Sequence, residues 1–165
     1  MSQTAVANQG QLNEGMKADS GFDDILSALA EGAIPFGRYV KLGTDPDRQV
    51  ELPGAAIDIT VKKTVGGIAL HNHAIESELN GVNPPQYKDK DAVSYMRKGR
   101  VAVFVEEAVT PADAVFVRFA VDTFAGIGQF RTDVDTASAA ELANARFITS
   151  TTGPGIAILE VNLAG

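Results

Sequence analysis

Arg100-Val101-Ala102-Val103-Phe104-Val105-Glu106 carries branched apolar side chains at 101, 103 and 105, between a cation and a carboxylate. A period of two puts those three valines on one face of a β-strand. Ala114-Val115-Phe116-Val117-Arg118-Phe119-Ala120 is patterned the same way: Val115, Val117 and Phe119 share one face, with Phe116 and Arg118 on the other. Val109-Thr110-Pro111-Ala112-Asp113 between them is turn chemistry. Strands with one apolar face must cover one another, so this stretch already points to packed sheets.

The same punctuation runs outward from there. Short apolar runs, separated by Gly, Pro, Asp and Asn, predict strands at Phe36–Leu42, Gln49–Leu52, Gly66–Ala74, Ala92–Met96, Arg100–Val105, Ala114–Ala120, Gly128–Thr132, Arg146–Thr149 and Ile156–Leu163. Ser138–Ala143 is a short helical candidate. The expectation is an all-β sandwich domain over residues 33–165. Residues 1–32 are read as an extended N-terminal arm. Within it, 23–32 suits either a short helix, with acids at its start and Gly32 at its end, or a lead-in to the first strand.

The chain has 165 residues, 45% hydrophobic and 21% charged, enough for one core of its own. It has no cysteine, which excludes disulfides, thiolate zinc sites and a cysteine nucleophile. Its net charge of −7 argues against nucleic acid as a partner, because phosphate neutralisation supplies most of such affinity. No apolar run is long enough for a membrane helix, and the start lacks the pattern of a signal peptide.

Catalytic chemistry has few places to reside. His71 and His73 are the only imidazoles; on a strand they would share a face and, with Glu78, could hold a divalent metal. That spacing resembles the first metal motif of the cupins. The cupins' second motif supplies another histidine, and no histidine follows His73 here. Ordinary hydrogen bonding is therefore the preferred reading, with no cofactor and no metal expected. Glu106-Glu107 would point to opposite faces of a strand, and reads as a strand end entering solvent. Arg97-Lys98-Gly99-Arg100 reads as a solvated turn between two strands, with too few charges for a nucleic-acid footprint. A sugar-binding sandwich would want an aromatic platform; there is no Trp, only Tyr39, Tyr87 and Tyr95.

Beyond the residue chemistry, the order of segments from Gly15 to Leu163 resembles the structural cement proteins of tailed bacteriophages. The carrying pieces are Gly15–Gly21, Ala33–Arg38, Gly67–Ala69, Arg97–Val105, Val105–Phe119, Gly128–Arg131, Ala145–Phe147 and Gly155–Leu163. The family tends to place Gly and Pro where Ala112 and Ala114 stand here. The resemblance implies a jelly-roll-like β-sandwich without enzymatic activity, made in the host cytoplasm and bound to the outer surface of the virion. Its partners would be the major capsid protein and itself, as a homodimer in preference to a trimer. Expected capsid or subunit contacts are Met16, Asp19, Phe22, Arg38, Arg97 and Lys98.

Overall fold

The computed structural model describes residues 12–75, 85–121 and 126–164. It is nearly all β, as expected. The strands are β1 (Asp24–Ala30), β2 (Ile34–Pro35), β3 (Tyr39–Leu42), β4 (Gln49–Glu51), β5 (Val65–Ala69), β6 (Gln86–Tyr87), β7 (Ala92–Val105), β8 (Phe116–Arg118), β9 (Phe130–Arg131), β10 (Ala139–Glu141), β11 (Ala145–Phe147) and β12 (Gly155–Asn162). One short helix, α1 (Ile57–Thr60), follows β4. No described helix is long and apolar enough to cross a membrane.

The organising element is β7, whose 14 residues run through the whole fold. Two strands and an intervening turn were expected over this stretch, so Arg97–Arg100 lies within a strand, not in a turn. Gly99 makes the continuity possible. Its φ of +134° and the register irregularity opposite Asp24 and Ile25 kink the strand without ending it.

Along one edge of β7 lie β1, against Ala92–Lys98, and β12, against Lys98–Val105. These two come from opposite ends of the chain, and meet end to end at Lys98. Along the other edge lie β5, the segment around Lys17 and β9. On its far side β12 carries β11. β9 leads on to β8 and β10.

β1, β4, β3, β5 and β7 close into a ring, because β1 pairs with both β4 and β7. Ala30, Val40, Val50, Ala69, Val93 and Tyr95 form a core with Ile34 and Tyr87 from the separate antiparallel pair β2–β6 and with Phe36, which follows β2. Tyr39, Ile68 and Met96, next in sequence to three of these, belong instead to a second core with Val101, Val103, Val105, Val117, Phe130, Phe147 and Leu159. Where Tyr39–Val40, Ile68–Ala69 and Tyr95–Met96 adjoin, the wall of β3, β5 and β7 is thus apolar on both sides.

Three local expectations are corrected. Of the two readings open for 23–32 the extended one holds: Asp24–Ala30 is a strand, so the sheet begins inside the segment read as arm. Residues 15–18 are also stitched into the body: Gly15 N donates to Ala102 O, Ala102 N to Met16 O, Ala18 N to Arg100 O and His71 N to Gly15 O. Ala139–Glu141, expected in a helix, pairs with β8 as β10. What precedes it is a turn in which Asp135, Thr136 and Ala137 all have positive φ.

Candidate functional site

His71 and His73 do not lie on a strand. β5 ends at Ala69, and the chain beyond it is irregular. The two rings still touch, with centroids 4.5 Å apart, and His71 also packs on Phe36 at 4.9 Å. Burial, and then the neighbouring His73, push the His71 imidazole below its usual value of 6.5. Its Nδ1 is buried without a hydrogen-bond partner. Glu78, the third ligand of the cupin-like reading, is outside the described residues. Among the described residues no group of three or more His, Asp or Glu side chains is placed to hold a metal.

Glu106 and Arg118 do not enter solvent. Arg118 is 1% exposed. Its Nε and Nη2 donate to the two Glu106 oxygens at 2.7 and 2.8 Å. Arg131 Nη1 donates to Glu106 Oε2 at 2.8 Å, and Arg131 Nη2 to Asp133 Oδ1 at 2.7 Å. Asp135 pairs with both arginines. These charges are consumed by one another beneath the positive-φ turn, so the cluster reads as a clamp on that turn and not as a reacting centre.

The expected contact residues divide. Asp19, Phe22 and Lys98 come together on the rim of an open groove of about 410 Å³, with Gly99, Arg100, Glu160 and Asn162. The groove sits on the seam where β1 and β12 meet. Phe22 is 93% exposed. Asp19 faces Arg100 at 3.5 Å and accepts from Gly21 N at 3.0 Å. Arg100 Nε donates to Glu160 at 2.8 Å, a bond that holds the Glu160 carboxyl below its ordinary range. Lys98 is exposed and has no ion-pair partner among the described residues. Arg97 stands next to the groove, its guanidinium forked onto Asp24. Met16 is half-buried in the stitched segment behind it.

Arg38 is elsewhere. Burial lowers its pKa, and it spends Nη1 on Ile127 O at 2.9 Å, packed against Gly126. Glu160 and Asn162 were not anticipated, and Arg100 was noted only as part of the basic cluster 97–100. Arg100 and Glu160 are 60 residues apart in sequence and meet only through the β7–β12 register.

Exposed apolar side chains recur along the chain next to this seam, on both faces of β1. Phe22, Ile25, Leu26 and Leu29, from one stretch of eight residues, are among the exposed large hydrophobic side chains. Mixed charge around an exposed aromatic suits recognition of a protein better than turnover of a small molecule.

Comparison with known proteins gives the same direction. A family model described as structural cement protein (E217 gp24/Pam3 gp6) matches residues 1–162. No curated protein matches the chain. A chain from the capsid of Myoviridae phage XM1 has a similar fold: the TM-score is 0.69 at 16% identity, with 93% of this chain and 91% of that one covered. The head fibre gp8.5 N base of bacteriophage phi29 aligns more distantly, with TM-score 0.43 at 10% identity over 86% of this chain and 96% of that one.

Proposed function

We propose, from the premise that the chain belongs to the phage structural cement protein family, that it clamps neighbouring major capsid proteins together on the outer surface of the head. The match of the family model to residues 1–162 carries this reading. A cement protein binds the capsid proteins of the phage head. The finer claims are the outer surface, the bridging of neighbours and the use of the Phe22–Lys98 groove.

A protein that binds the assembled shell, and not its separated subunits, stabilises the shell by mass action. Repetition over a closed lattice turns a modest contact into a durable one. The buried clamp under the positive-φ turn and the two cores on one shared wall give a rigid body, which loses little conformational entropy on docking. Self-association as a homodimer would place two grooves on one particle; a trimer would suit three-fold positions.

The test is co-sedimentation of purified protein with empty, expanded phage shells, followed by cryo-electron microscopy of the pellet. Ordered density outside the shell, bridging neighbouring capsid proteins, is the expected result. Protein that stays in the supernatant at high concentration, or density on the inner face, overturns the reading.

A further inference from the structure

The outer edge of β1 is unfinished. Leu29 N donates to Arg48 O and Glu31 N to Val50 O, so the odd-numbered backbone groups of this strand face β4. Ala30 N donates to Asp91 O, so the even-numbered groups face the β7 side. β4 reaches back only to Gln49, opposite Leu29. The backbone groups of Ile25 and Ser27 therefore point to the same edge with no strand beside them among the described residues. A bare N–H and C=O edge is a template for another strand.

What flanks the edge gives the vacancy a length. Outside β12 lies β11, ending at Ala145 opposite Val161, and Asn162 N donates to Asn144 O. Outside the end of β1 lies β4. Because β12 and β1 run end to end along β7, β11 and β4 occupy the same outer rank, with a vacancy between them over Asp24–Ala28. Ile25 and Leu26 are each 37% exposed along it. Phe22 stands at one end and the exposed Arg48, without an ion-pair partner among the described residues, at the other.

We propose that this vacancy takes an added β-strand of about five residues, supplied by an extended segment of the capsid protein. The proposal rests on the cement reading and specifies how the capsid partner is held. Apolar residues on the incoming segment meet Ile25 and Leu26, and an acidic residue near its end meets Arg48. A second copy of this chain suits the vacancy less well. Its own β1 would arrive with β12 end to end with it, a line too long for a vacancy five residues wide, and its β4 and β11 would fall where β1 and β12 of this chain already lie.

The experiment uses the full chain and expanded shells. Ser27→Pro removes the N–H that faces the open edge and leaves the even-numbered bonds to β7 in place; edge positions tolerate proline. Ser27→Ala removes the hydroxyl and keeps the N–H. The expected result is that Ser27→Ala binds shells like the parent, while Ser27→Pro binds about tenfold or more weakly, since a backbone bond is lost and the ring obstructs the strand. Ile25→Glu, which keeps every backbone group, gives the same direction of effect should the proline variant fail to fold. In the parent, the Ile25 and Ser27 amides gain exchange protection on shell binding. Equal shell binding by parent, Ser27→Pro and Ile25→Glu overturns the added strand while the cement reading stands. A change in the mass of the unbound protein with Ser27→Pro overturns it in favour of a second copy. Failure of the parent itself to bind overturns the cement reading.

Discussion

Replacing Glu106 with glutamine removes one negative charge from beneath two arginines and keeps the side-chain shape. In the parent, Glu106 accepts from Arg118 at 2.7 and 2.8 Å and from Arg131 at 2.8 Å, with its side chain 7% exposed. The amide can accept through one atom only, and its NH₂ faces a guanidinium donor. Breaking one partner of a buried ion pair costs about 3–5 kcal/mol, because the other charge remains desolvated. For a domain of this size that lowers Tm by roughly 6–20 °C. Calorimetry at pH 7 measures it directly. The loss should be local in origin: Asp135, Thr136 and Ala137 hold positive φ only while Arg118 and Arg131 grip Asp135, so amide exchange in 134–138 should accelerate. Replacing the pair by apolar groups, Glu106→Leu with Arg118→Met, should cost less than Glu106→Gln alone. A Tm for Glu106→Gln within 2 °C of the parent, a small fraction of the shift expected from that scaling, would refute the clamp.

Three further outcomes are expected. Gly99→Ala places a Cβ 2.9 Å from Met96 Sδ and 3.1 Å from Asp23 Cβ at a φ of +134°, and should destabilise by about 1–3 kcal/mol in urea titration. The unfolded chain takes up a proton on His71 at higher pH than the folded one does, so stability is lost as pH falls from 6.5 toward the folded-state value; His71→Gln should flatten Tm between pH 7 and 5. In that window Glu14, whose carboxyl burial raises, acts in the opposite sense, and His73 is the charge facing His71, so the difference between variant and parent is the quantity to read. Removing residues 1–20 takes away the four backbone bonds that Gly15, Met16 and Ala18 make, and should cost roughly 2–6 kcal/mol against a chain beginning at Leu12, measured by chemical denaturation.

Sequence was most informative where branched apolar residues recur with a period of two. Val101, Val103 and Val105 alternate, and all three are fully buried. It was least informative where partners are distant. Asp24–Ala30 has the acids and the terminal glycine of a helix, yet its conformation is decided by β7, some seventy residues away. Alternation placed Arg118 only on the face opposite Val115, Val117 and Phe119; its burial depends on Glu106 and Asp135 arriving from two other segments. Gly99 beside three cations looked like a turn, and only the strands on either edge show that the chain goes straight on. The candidate groove was half legible: Asp19, Phe22 and Lys98 came from the residues and the family resemblance, while Arg100, Glu160 and Asn162 join them through register alone.

The length of β7 has a mechanical consequence. Tension along this strand is resisted by β1 and β12 lying antiparallel on one edge, with β5, the Lys17 segment and β9 on the other. The bonds crossing those edges lie perpendicular to the pull, so they are sheared together and share the force. A hairpin peeled from its end would lose them one at a time. Stress applied at the ring is also carried into the second core along one unbroken backbone, past Gly99. A tether anchored at both ends of that axis would behave as a stiff strut, its yield point set by the simultaneous slip of two neighbouring strands.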